Sequence, residues 1–197
     1  MLTGSRARGD AYPTADYDFY ALLQEGGQSN FVSFHREATW IDVHSHSMSA
    51  AKIRIEAAKP DLYGFVEGRI LHDSAGRLAE LKTLANTCLD AYRTPSEKKQ
   101  KLLFWLDTAQ LKLEASLAAQ NEANTGFLVS TTTWTVLETL FALNNMPMPS
   151  SSAVKAYLPK LKRKPAQLTT RLESLYTGSV TERAHAMQTL IDFLLNY

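Results

Sequence analysis

The spacing of hydrophobic residues changes once along the 197-residue chain, near residue 74. Before that point apolar and polar residues alternate in short runs broken by Gly, Pro and Asn; after it they recur every three or four positions. Alternation with period two sends side chains to opposite faces of a strand, whereas a 3.6-residue period builds one stripe along a helix. The chain therefore reads as α+β, with a small mixed-sheet head over residues 1–73 followed by an all-α bundle over 74–197. In the head the pattern predicts strands over 15–23, 39–45 and 66–73, and a helix over 49–58 that ends near Pro60. In the bundle, Leu78, Leu81, Leu84, Ala85, Cys88, Leu89 and Tyr92 mark the first stripe. Further helices are expected over 95–121, 127–144, 152–161, 166–176 and 181–195.

Composition narrows the class. Hydrophobic residues make up 45% of the chain, enough for a real core, and the single cysteine, Cys88, excludes an internal disulfide framework. The sequence suggests neither a membrane span nor a leader, so a cytoplasmic protein without a membrane partner is expected. The net charge of +1 advertises no nucleic-acid partner, yet it hides an asymmetry. Residues 1–50 carry three cationic against six anionic side chains, and residues 151–197 carry seven against three.

The chemistry concentrates in the acidic head. Gly4-Ser5-Arg6-Ala7-Arg8-Gly9-Asp10 reads as a tight turn entering a helix, where exposed backbone N–H groups can hold phosphate oxygens. Asp16 and Asp18, two apart on one strand, present both carboxylates on one face, and Asp42 on a neighbouring strand adds a third. Three such acids repel one another unless cations neutralise them, and hard oxygen ligands suit Mg²⁺ or Mn²⁺. Two such ions can activate an attacking hydroxyl and stabilise departing pyrophosphate.

Gly4-Ser5, ten intervening residues and Asp16-Tyr17-Asp18 resemble the signature of the DNA polymerase β-like nucleotidyltransferase superfamily, and most of all its bacterial aminoglycoside and lincosamide type. The resemblance implies that Asp16 and Asp18 bind metal, that Asp42 completes the catalytic site, and that Gly4, Ser5 and Arg8 contact the nucleotide. It implies ATP or another NTP as co-substrate and a small-molecule acceptor, with antibiotics among the candidates and a homodimer left open. The superfamily places a helix and a full strand before Gly-Ser, whereas only Met1-Leu2-Thr3 stand there. The expectation is an N-terminally short head with one sheet face uncovered and with activity in question.

Two rival readings share these residues. One is a non-catalytic or protein-adenylylating, antitoxin-like member of the same superfamily. The other is a metallohydrolase, because Asp42-Val43-His44-Ser45-His46 resembles the Asp-x-His-x-His strand end of barrel-type enzymes. In the bundle, Trp134 and Glu138 stand four apart on one helix and offer a stacking surface and an acidic anchor for a substrate. Glu122 is a second candidate anchor, and Lys155 or Lys162 could grip a triphosphate. Core packing for Trp134 and solvation for the charged side chains are the weightier readings of these bundle residues.

Overall fold

Hydrogen-bonded strand pairing confines the sheet to the first fifty residues, and helices account for most of the rest of this computed structural model, which describes residues 1–60 and 62–197. The elements run β1 (Leu2–Thr3), α1 (Gly4–Arg8), β2 (Tyr17–Leu23), β3 (Asn30–Arg36), β4 (Thr39–Ser47), α2 (Met48–Glu56), α3 (Leu62–Glu67), α4 (Arg77–Ala91), α5 (Ser96–Ala118), α6 (Glu122–Leu143), α7 (Val154–Tyr157), a 3₁₀ turn (Leu158–Lys160), α8 (Leu168–Thr177) and α9 (Val180–Leu195). The α+β class is as expected. Two compact units result: Met1–Tyr92 with Pro149–Tyr157, and Arg93–Met148 with Leu158–Tyr197.

The first unit holds a four-stranded mixed sheet in the order β1-β2-β4-β3. Strand β2 runs parallel to β4, and β1 and β3 flank them antiparallel. The parallel register sets Asp18 beside Asp42 and Tyr20 beside His44. Tyr20 joins Ala51 and Ile55 of α2, Leu62 and Phe65 of α3, and Leu78, Leu81 and Ala85 of α4 in one buried cluster. On the opposite sheet face Phe34 and Val32 are exposed, and their register partners Ile41 and Val43 are only half-buried. One face is therefore sealed by helices and the other retains apolar exposure.

Two parts of the head depart from expectation. Residues 66–73 form no strand: Val66 and Glu67 end α3, and the segment reaches the sheet by a single bridge from Arg69 to Leu2. Leu62, Tyr63 and Phe65 are all buried, and three apolar side chains within four residues are accommodated by one helical turn turned into the core. The second departure is β3, a seven-residue strand exposed along its whole length. Its two phenylalanines, Phe31 and Phe34, stand three apart and so fall on opposite faces, which erases the alternation that marks a strand.

In the second unit α6 is the core helix. Val129, Val136, Leu140 and Phe141 are fully buried, as are Met187, Leu190 and Ile191 of α9. Among the described residues α6 alone is long and apolar enough to cross a membrane, and half of its apolar window lies inside the protein. Its polar groups are satisfied locally: Thr133 Oγ1 donates to the Val129 carbonyl (2.8 Å), and Ser116 and Thr125 share a buried hydroxyl contact of 2.9 Å. The last helix opens with a capping box between Ser179 and Glu182. The helix expected over 152–161 is shorter, with α7 giving way to a 3₁₀ turn at Leu158–Lys160, where Pro159 lacks the N–H a continuing helix needs.

Candidate metal centre

Short-range geometry draws the three aspartates together. Ligand oxygens of Asp16, Asp18 and Asp42 all lie within 4.8 Å of one another. Asp18 and Asp42 meet because β2 and β4 are parallel and in register at that point. Asp16 precedes β2 and is held by α1: Arg6 Nε donates to the carbonyls of Ala15 and Asp16, both at 3.1 Å, and Arg6 Nη2 to that of Ala15 at 2.6 Å. The Arg6 guanidinium also stacks over the Tyr17 ring, 4.0 Å from its centre. Arg6 thus fixes the backbone that carries Asp16 and Tyr17, a role that residue spacing does not reveal.

The cluster is electrostatically loaded. Burial pushes the Asp18 carboxyl above the usual aspartate range, repulsion from Asp16 and then Asp42 adds to it, and His44 and Arg8 pull the other way. Ser33 Oγ donates to Asp42 Oδ1 at 2.6 Å and so orients that carboxylate. A cation placed among these oxygens relieves the repulsion that their proximity creates, so the donor set fits a hard divalent ion.

Gly4 opens α1 against Asp18. Its φ is +67°, and a Cβ there would overlap the Asp18 carboxylate. Glycine is needed twice over, for the left-handed backbone and for the close approach. Ser5 occupies the first turn of α1, and its carbonyl accepts from the N–H groups of Gly9 (2.9 Å) and Asp10 (3.1 Å). Arg8, expected to contact a nucleotide, is already engaged. Its Nη1 donates to Glu67 Oε2 at 2.9 Å, its Nε to Asp10 at 3.1 Å, and its Nη2 to the Ser152 carbonyl at 3.4 Å.

Gly4, Arg8, Asp18, His44 and Glu67 line one cleft of about 320 Å³ in the first unit. Glu67 was missed in the sequence because residues 66–73 read as a strand, and a lone glutamate at the end of a six-residue helix carries no pattern. The histidines do not complete a metal set. Among the described residues the metal-like cluster takes in neither: His44 lies against the Phe31 ring at 4.7 Å between centres, and His46 Nδ1 meets Ser29 Oγ at 2.7 Å. An open four-stranded sheet also lacks the closed barrel that the metallohydrolase reading requires.

Trp134 and Glu138 belong to the second unit. Glu138 is ion-paired with Lys98 at 2.7 Å and lines a groove with Lys101, Trp105 and Thr135, whereas Trp134 is outward-facing and 45% exposed. The two are neighbours on α6, but only Glu138 contributes to the groove.

No family model and no curated protein matches the chain. Among solved structures it is similar to a nucleotidyltransferase-like protein from Exiguobacterium sibiricum 255-15, at 11% identity and a TM-score of 0.45, over 99% of this chain and 69% of that one. With likeness this remote, functional assignment rests on the residues of the acidic site.

Proposed function

We propose that the chain is a nucleotidyltransferase of the polymerase β-like kind, moving a nucleoside monophosphate from an NTP, ATP first among them, to a hydroxyl of a small molecule. The observation that carries this reading is the convergence of Asp16, Asp18 and Asp42 beside the Gly4-Ser5 turn. Those three carboxylates would hold Mg²⁺ or Mn²⁺. Bound there, a divalent cation supplies charge neutralisation and Lewis acidity at phosphoryl oxygens.

The remaining work falls to this chain's own groups. In this reading the backbone N–H groups at Gly4 and Ser5 would meet phosphate oxygens, and Gly4 stands so near Asp18 that a Cβ there would overlap its carboxylate. Asp42 has Oδ1 fixed by Ser33, which leaves Oδ2 to accept a proton from the acceptor hydroxyl. Arg6 holds Asp16 in place, and the Arg8–Glu67 pair braces α1 against α3.

The test is release of pyrophosphate from ATP in the presence of Mg²⁺ and a panel of hydroxylated acceptors. Asp16→Ala and Asp18→Ala should each abolish it, with losses of at least a hundredfold. Turnover that persists in both variants contradicts the reading. Cation and nucleotide binding without turnover on any acceptor, small molecule or protein, assigns the chain to the non-catalytic kind instead.

A further inference from the structure

Two grooves between α5 and α6 of the second unit meet at one indole. A groove of about 580 Å³ runs past Lys101 and Leu102 to Trp105, and one of about 280 Å³ continues from Trp105 to Lys112. Trp105 and Thr135 line both, so the two form a single trench along the helix pair. Lys101, Trp105 and Lys112 are four and then seven residues apart, which puts them on one stripe of α5. Phe127 and Thr131, four apart, face them from α6. The floor is apolar, with Leu102 buried and Leu128 half-buried. The walls are aromatic and open: Trp105 is 50% and Phe127 64% exposed. Exposed aromatic side chains around an apolar floor are the usual anchors of a protein interface.

The charge of the trench selects the occupant. Lys98 is ion-paired with Glu138 at 2.7 Å, whereas Lys101 and Lys112 have no ion pair or hydrogen bond among the described residues. At the rise of an α-helix these two positions stand about 16 Å apart, with Trp105 between them. The complement of that pattern is an amphipathic helix. Its acids, three turns apart, meet the lysines, and the apolar residues between them pack on Trp105 and Phe127. A phosphate backbone fits less well, because Glu97 and Glu138 line the same trench and repel its closely spaced charges.

We propose that the trench between α5 and α6 docks an acidic amphipathic helix of a partner protein. Selection of displayed helical peptides of about 16 residues against the full chain tests it. The selected peptides should be enriched in Asp and Glu, and their affinity should fall as salt is added. By calorimetry they should bind about tenfold more weakly, or worse, to Trp105→Ala and to the double variant Lys101→Glu with Lys112→Glu. All three side chains are exposed, so the variants should fold, which a thermal melt checks. The composition of peptides selected on the unaltered chain stands without them. Failure to select any peptide, peptides without acidic enrichment, or equal binding by the double variant overturns the proposal. Tighter binding of a single-stranded oligonucleotide than of any selected peptide assigns the trench to nucleic acid. A dimer that the double variant dissociates assigns it to a second copy of the chain. Either result also overturns the partner helix.

Discussion

The two units are held by different means. In the second, α6 and α9 bury fully enclosed Val, Leu, Ile, Phe and Met side chains, and polar groups such as those of Thr133 and Ser116 are satisfied by near neighbours. In the first, three carboxylates are forced together, Asp18 is pushed above the usual aspartate range by burial and by its acidic neighbours, and Gly4 adopts a left-handed backbone. One region is organised around burial and the other concentrates unrelieved charge. Clustered, mutually repelling acids of this kind are relieved by a bound cation, and the contrast makes the first unit the place to test for a ligand.

The comparison is broken most sharply by removing volume from the second unit. Leu140 is completely buried, and Leu140→Ala should cost about 2–5 kcal/mol, read from the urea midpoint. A loss below about 1 kcal/mol would mean that α6 is not a packed core helix. The next effect belongs to the first unit. Gly4→Ala places a side chain in a backbone region that costs about 1–2 kcal/mol and against the Asp18 carboxylate. It should weaken both stability and binding of Mg²⁺ with ATP, measured by melting and calorimetry; unchanged binding would show that the close approach at Gly4 is dispensable. The smallest effect tests the polar surface of the second unit. Glu138→Gln removes a partly exposed ion pair with Lys98 and should change stability by less than about 1 kcal/mol. If it abolishes turnover on an identified acceptor, Glu138 is a substrate anchor and the division of labour fails.

The contrast also explains what could be read in advance. The acids were legible because strand alternation and a ten-residue spacing are local patterns, and the sheet register then places Asp18 beside Asp42. The long helices were legible for the same reason, although α6 begins at Glu122, five residues before its apolar stripe, with Asn121 accepting from the Asn124 N–H as its cap. Pro60 read as a helix stop, yet its carbonyl accepts from Tyr63 as α3 begins, so one residue punctuates two helices. Glu67, Arg6 and the ion pairs of Arg8 were not legible. Each depends on partners far away in sequence or on backbone carbonyls, which leave no trace in residue spacing.

Asp18 also sets a pH dependence for the cation-free protein. Its carboxyl is raised in the folded state by burial and by Asp16 and Asp42, so the folded chain holds that proton more tightly than the unfolded one. Its contribution to stability is complete at pH below the usual aspartate range and is lost as pH rises through the raised value. A divalent cation should offset that loss.

The most direct test of the acidic site is therefore a titration of the protein with Mn²⁺, followed by electron paramagnetic resonance, on the unaltered chain and on Asp18→Asn. Saturable binding by the unaltered chain, weakened at least tenfold in Asp18→Asn while the variant remains folded, is the predicted result. An unaltered chain that binds no Mn²⁺, or an Asp18→Asn variant that binds it equally well, would contradict the assignment of Asp16, Asp18 and Asp42 as a metal centre.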